Sequence, residues 1–281
     1  MSKTPLNSAL WVVATPLGNL GDISPRAIAT LQKAGLILAE DTRRAGQLLA
    51  GLGISGRKFS SLHEHNEDQR INLAMSKVEQ GIDCCLVSDA GTPLMADPGY
   101  RLVRAFRQKG LPVFPVPGPC APVAALMACG LPPYPFSFLG FLPRKKGELQ
   151  SLFARWKDVP ATLVFFERKN RVTSSLQAAF EQLGPREFCL AREMTKKHEE
   201  FISGVLGQTN IQGDSLLGEI TIVIGPEAKD AQKTSVEKVR GLIDRHSGQG
   251  LKPRPLAALI QKETSGWSSK QIYDLLIQSE S

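Results

Sequence analysis

The stretch Glu40-Asp41-Thr42-Arg43-Arg44 sets two carboxylates beside two guanidinium groups. Further on, Glu193-Met194-Thr195-Lys196-Lys197 sets one carboxylate beside two ammonium groups. A carboxylate, or a lysine held neutral, can take a proton from a hydroxyl nucleophile. Arginine forks match phosphate oxygens. The competing account of the first stretch is a solvated helix start, with acidic residues placed by the helix dipole. By residue type the proton acceptor stays open among Glu40, Asp41, Glu193 and Lys196. Arg43, Arg44, Arg144, Lys145, Lys146, Lys196 and Lys197 are the candidate phosphate contacts.

Such groups act only where a fold converges them, and the run around Asp89 predicts where. Cys84 to Val87 is an apolar strand that empties into Ser88-Asp89-Ala90-Gly91-Thr92-Pro93. In α/β sheets ligands bind outside the carboxyl ends of strands. The next helix is expected to start with Asp97 as N-cap and Pro98 at the first helical position. Ala9 to Thr15 predicts a first buried strand, followed by the turn Pro16-Leu17-Gly18-Asn19-Leu20-Gly21-Asp22, whose glycines let backbone approach a ligand. Its glycine spacing is neither a dinucleotide fingerprint nor a phosphate-binding P-loop with its Lys-Ser/Thr ending. Cys120 and Ala121 begin a small-residue helix after the rigid turn Pro117-Gly118-Pro119, with free N–H groups suited to a carboxylate.

Strands and helices alternate through residue 116, with predicted strands at 36–39, 83–87 and 112–116 and helices from 25, 42, 67 and 99. That alternation predicts a parallel or mixed sheet covered on both faces. Pro132, Pro133 and Pro135 mark a boundary. Beyond it, strands are expected at 137–141, 162–166, 187–191, 199–203 and 219–224, with helices at 148–157 and 170–183. Residues 235–281 predict three short helices and no strand. The expected division is therefore an α/β domain at 9–130, a second at 131–228, and a small basic helical module at 229–281.

With 42% hydrophobic and 22% charged residues, the chain can bury real cores, and no apolar run approaches the length of a membrane span. The polar start, Met1 to Ser8, lacks the apolar core of a signal peptide, so a cytoplasmic protein is expected. The five cysteines form no C-x-x-C pair and read as buried free thiols. His63-Glu64-His65 is a fragment of a metal motif without a third ligand nearby, so no metal is expected. The net charge of +7 favours anionic partners such as RNA. Trp267 and Tyr273 flank Lys270 in the tail and are expected to pack between helices rather than stack on bases.

Taken in order, several motifs carry a family resemblance. They are Thr15-Pro16-Leu17-Gly18-Asn19-Leu20-Gly21-Asp22, Glu40-Asp41-Thr42-Arg43, His63-Glu64-His65-Asn66-Glu67, Ser88-Asp89-Ala90-Gly91-Thr92-Pro93 and Asp97-Pro98-Gly99. Pro117-Gly118-Pro119, Gly140-Phe141-Leu142-Pro143 and Ala191-Arg192-Glu193-Met194-Thr195-Lys196 complete the set. The chain resembles the tetrapyrrole-methylase-like class III methyltransferases from about residue 9 to the tail. The resemblance implies two α/β domains with folded S-adenosylmethionine between them, a small C-terminal helical module, and a homodimer. Its narrowest match implies methylation of a cytidine ribose 2′-hydroxyl in the decoding region of 16S rRNA, within the small ribosomal subunit.

On that footing Pro16, Ser88, Asp89, Ala90, Gly91, Asp97, Cys120 and Ala121 are expected at the cofactor, joined by Phe166, Ala191 and Thr221 from strand ends of the second domain. Asp41, Glu40 and Lys196 are the expected catalytic groups. The chain departs from the family at Glu167-Arg168-Lys169-Asn170-Arg171, where a Ser-Pro-His-like stretch usually follows the glutamate. Two rival readings are a class III methylase of a small molecule, such as a tetrapyrrole precursor, and a non-catalytic RNA-binding protein that keeps the fold.

Overall fold

A computed structural model describes residues 8–63, 66–211, 213, 216–227, 234–247, 251–264 and 267–279. The first sheet holds β1 (Leu10–Val13), β2 (Leu36–Ala39), β3 (Phe59–Ser61), β4 (Cys84–Val87) and β5 (Val113–Val116). Its order is β3-β2-β4-β1-β5, and every pairing is parallel. β2 and β4 are buried along their whole length, which is why they read as unbroken apolar runs. One face packs on α3 (Glu67–Glu79) and α4 (Tyr100–Gln108), through Leu38, Leu86, Met75 and Phe106. The other packs on α1 (Pro25–Lys33) and α2 (Thr42–Gly51), through Val13, Ile37, Leu31 and Leu49. β1 and β4 are neighbours where the strand order reverses, and their carboxyl ends open a crevice.

The second sheet holds β6 (Phe136–Phe141), β7 (Thr162–Arg168), β8 (Glu187–Arg192), β9 (Glu200–Val205) and β10 (Glu219–Ile224), in the order β6-β7-β10-β8-β9. Only β6 and β7 run parallel. α6 (Lys146–Ala154) and α7 (Val172–Leu183) cover one face, around Phe153, Phe165 and Phe188. The opposite face receives α5 (Ala121–Ala128), whose Ala125 and Leu126 meet Val164, Cys189, Ala191 and Val223. α5 therefore lies on the second sheet, although its sequence position groups it with residues 9–130. A helix apolar on nearly every side needs burial that the first sheet, already covered by four helices, does not offer it.

Contacts divide the chain after Glu227. The tail unit has α8 (Val236–Ser247), α9 (Pro253–Lys262) and α10 (Ser269–Ser279), built around Val239, Leu242, Ile260 and Ile272. Trp267 and Tyr273 pack on that cluster, and Trp267 Nε1 donates to the Thr234 carbonyl at 2.7 Å. No described helix is long and apolar enough to cross a membrane.

Two expectations need correction, and one strand was not expected. β3 is too short to show a period in sequence. α4 starts at Tyr100, and its N-cap is Gly99 at φ +122, so Asp97 and Pro98 lie in the preceding loop. The helix expected at 148–157 begins at Lys146, with Lys145 as its N-cap and paired with Glu148 at 3.1 Å.

Candidate active site

The crevice above β1 and β4 continues into a cavity of about 290 Å³, closed on its far side by the second sheet. Three loops of the first sheet are tied together at its floor. Thr15 and Gly91 exchange backbone hydrogen bonds at 2.8 and 3.1 Å. The Ser88 hydroxyl donates to the Gly91 carbonyl at 2.9 Å, and the Thr92 hydroxyl donates to the Pro119 carbonyl at 2.8 Å. Gly91 sits at φ +76, and a Cβ there would lie 2.9 Å from Leu17 Cδ2. Glycine therefore answers both the left-handed backbone and the close approach of the loop after β1.

The non-glycine residues at positive φ among those described are Leu94, Ala96, Glu193 and Thr195. All four belong to two loops, after β4 and after β8, and both loops line this cavity. Such conformations cost of order 1–3 kcal/mol each and persist where surrounding structure imposes them, a pattern concentrated at ligand sites. The Lys196 stem crosses Gly18, where a Cβ would come within 2.8 Å of Lys196 Cε. The glycine turn after β1 thus lets the loop after β8 close over the cleft.

Charge is concentrated here. Arg44 meets Asp89 at 3.2 Å, and Lys196 meets Glu193 at 2.9 Å. Glu40 and Glu219 line the same cavity. Asp97 also lines it, and its carboxyl has no hydrogen-bond partner among the described residues. Burial pushes that carboxyl up to about 6, helped by the negative charges of Glu40, Asp89 and Glu219.

The structure brings together most of the residues expected at the cofactor. Asp89, Ala90, Gly91, Asp97, Cys120, Ala121, Phe166 and Thr221 all line the cavity. Phe166, Thr221 and Ala191 form one row across β7, β10 and β8, with Thr221 in register with both others. Ala191 is fully buried under α5 and stays outside the lining, as do Pro16 and Ser88, which belong to the floor beneath. Leu17, Thr92, Met95, Pro122, Phe141, Met194, Glu219 and Ile220 also line the space. Glu219 apart, their types carry no chemical signal in sequence.

Glu40 and Lys196 reach the cavity, whereas Asp41 does not. Asp41 is the N-cap of α2, accepting from the Arg43 backbone N–H at 2.9 Å and from Arg43 Nε at 3.1 Å and Nη2 at 2.9 Å. The Arg43 side chain and backbone hold its carboxyl down to about 2. A carboxylate so committed is a weak proton acceptor. Asp41→Asn keeps an equally good cap, so methyl-transfer turnover is expected to stay within about twofold of the parent; a loss of about 100-fold would return Asp41 to a catalytic role.

Arg144, Lys145, Lys146 and Lys197 are exposed and lie off the cavity lining. Among the described residues no three His, Cys, Asp or Glu are grouped to hold a metal ion, and Glu64 and His65 of the His63 motif lie outside the described residues. The five thiols are unpaired. Burial raises the Cys84 thiol to about 12, as expected of inert core cysteines.

Two sheets meeting at a strand-end cleft, with strained loops from both, define an architecture that comparison places. The chain matches the tetrapyrrole (corrin/porphyrin) methylases over residues 9–210 and belongs to that family. Among named relatives, ribosomal RNA small subunit methyltransferase I of Neisseria meningitidis serogroup A is 38% identical over 98% of this chain and 95% of its own. The protein of the same name from Vibrio cholerae serotype O1 is 47% identical over 70% of this chain and 69% of its own. Among solved structures, the methyltransferase CobJ gives a TM-score of 0.61 at 18% identity, covering 79% of this chain and 95% of CobJ. Diphthine synthase gives 0.60 at 14% identity, covering 77% and 90%. At those identities the structural likeness is one of fold.

Proposed function

We propose that this chain is an S-adenosylmethionine-dependent methyltransferase of 16S rRNA, acting on the 2′-hydroxyl of a cytidine ribose in the decoding region. The observation that carries the reading is the cavity, where a carboxyl of raised proton affinity stands free among strand-end loops, next to apolar Phe166, Met194 and Ile220. Relatives named for small-subunit rRNA methylation, aligned over nearly the whole chain, supply the substrate class.

The cleft fits the cofactor chemically. The first-turn N–H groups at Cys120 and Ala121 suit its carboxylate. Asp89 suits its ammonium group, and Phe166, Met194 and Ile220 suit the adenine. When bound, the cofactor supplies an electrophilic methyl group on a cationic sulfonium. The protein's part is alignment and proton removal, and alignment alone is worth several kcal/mol. A ribose hydroxyl is a poor nucleophile until its proton departs. Asp97 accepts that proton, since a carboxyl near 6 is ionised at neutral pH yet more basic than an ordinary aspartate. Arg44 and Lys196 balance the surrounding carboxylates and orient an adjoining phosphate.

The protein acts as a homodimer. Val123 and Met127, four residues apart on α5, are 46% and 83% exposed, an apolar helix face that a second copy would cover.

The deciding experiment incubates the protein with labelled S-adenosylmethionine and small ribosomal subunits from cells lacking this activity. The modified nucleotide is then mapped by mass spectrometry. One 2′-O-methylcytidine in the decoding region is the expected result. Cofactor binding without label in RNA would overturn it and turn the search to small-molecule acceptors. RNA binding without cofactor binding would instead indicate a non-catalytic RNA-binding protein.

A further inference from the structure

A second recess of about 460 Å³ adjoins the cleft, and nothing in the methyl-transfer chemistry requires it. It is lined by Phe141, Glu167, Arg168, Lys169, Asn170 and the Gly218-Glu219 turn, and it shares Phe141 and Glu219 with the cofactor cavity. Four consecutive residues, Glu167 to Asn170, form one side of it.

Three features make it a built surface. First, the β6–β7 register shifts between Phe138 and Phe141, with Gly140 at φ +66. Bulges of this kind re-aim side chains beside active sites. Here the bulge lets Phe138 and Phe141 both lean on Phe166, at centroid distances of 4.9 and 5.4 Å, and leaves Phe141 51% exposed between the two spaces. Second, the local charges are sorted. Glu167 is buried and satisfied by the Ser175 hydroxyl at 2.6 Å, the Arg168 N–H at 2.9 Å and Arg171 at 3.4 Å. Arg171 is further committed to the carbonyls of Leu142 and Pro143. The side chains of Arg168 and Lys169 are exposed and form no hydrogen bond or ion pair among the described residues. Third, Gly218 at φ +79 walls the recess with bare backbone, since a Cβ there would run into the Glu193 carboxylate.

A half-exposed aromatic ring beside two uncommitted cations is the chemistry that holds an unstacked nucleotide. We propose that this recess is a subsite for the nucleotide next to the methylated one, with its base stacked on Phe141 and its phosphates met by Arg168 and Lys169. Continuity through Phe141 and Glu219 puts that nucleotide beside the target ribose. Single-stranded RNA is therefore the form bound, because a paired duplex could not place a base on the ring.

This inference rests on the rRNA reading above, and the test separates the two. KM for unmodified small subunits and Kd for S-adenosylhomocysteine are measured on the full chain, together with the salt dependence of binding to a labelled single-stranded RNA 12-mer. Phe141→Leu, which keeps apolar packing on Phe166, is expected to raise the subunit KM about tenfold, whereas Phe141→Trp retains it, as base stacking predicts. Arg168→Gln with Lys169→Gln is expected to lower the slope of log K against log salt by about 1.4, the loss of two single-strand phosphate contacts, with cofactor Kd unchanged. Parental KM and slope in both variants would overturn the subsite, as would a Phe141→Leu defect confined to cofactor affinity. A wild-type protein that leaves 16S rRNA unlabelled would overturn the function itself.

Discussion

Asp97→Asn is expected to lower kcat by about 10² to 10⁴, the usual contribution of a positioned general base, with little change in cofactor Kd. The groups facing Asp97 fix the pH profile. Burial raises its carboxyl first, then Glu40 from the loop after β2, Asp89 from the loop after β4, and Glu219 from the start of β10. Arg44 and Lys196 are the cations lining the same space, and Glu193 the remaining carboxylate. The base works ionised, so parental kcat is expected to rise about tenfold per pH unit below about 6 and to level off above it. Asp97→Asn removes that limb.

Stability should move the other way. The folded-state carboxyl lies above its ordinary value of 3.8, so the native state binds protons more tightly than the unfolded chain between 3.8 and about 6. Stability is therefore lost as pH rises through that window, and the neutral amide escapes the loss. At pH 7 the Tm of Asp97→Asn is expected to equal or exceed the parent's. Thermal melts and kcat–pH profiles of both proteins check this, and a parental profile in the variant would remove Asp97 from the chemistry.

Gly91→Val carries the second large effect. The position combines φ +76 with a Cβ site 2.9 Å from Leu17 Cδ2, and its N–H and carbonyl are both bonded to Thr15. A β-branched residue at positive φ costs roughly 1–3 kcal/mol, and overfilling a packed contact costs a similar amount. Together they predict a Tm lower by about 5–15 °C. The loops after β1 and β4 would separate, so Kd for S-adenosylhomocysteine is expected to rise at least about tenfold, measured by calorimetry below the lowered Tm. Unchanged Tm and Kd would show that the Thr15–Gly91 bridge does not shape the cleft.

Much of the first sheet was legible in the chain. β2 and β4 are buried on both faces and read as apolar runs, and Ser24-Pro25 marks the start of α1, with the Ser24 hydroxyl accepting from the Ala27 N–H. The motif loops after β1 and β4 were readable because glycine and proline declare backbone conformation. β3 was not, because three half-buried residues carry no period. Asp97-Pro98 has the composition of a helix cap, but the turn made by Leu94, Ala96 and Gly99 at positive φ delays α4 to Tyr100. Asp41 is the helix cap that Asp97 was expected to be, and Asp97 lines the cavity. Residue type alone does not separate them, but Asp41 is bonded to Arg43 whereas Asp97 lines the cavity with no hydrogen-bond partner among the described residues.

The sequence by itself determined most of the elements, the family, and the two strand-end loops that had to flank a ligand. These follow from local rules, namely backbone preference, apolar period and motif spacing. Only the tertiary structure decided that α5 lies on the second sheet and that Phe166 and Thr221 share a row over the cleft. It alone decided that Asp97 and not Asp41 lines the cavity and that Phe141 borders two cavities. Each of those depends on groups far apart in the chain competing for the same partner, the same face or the same solvent.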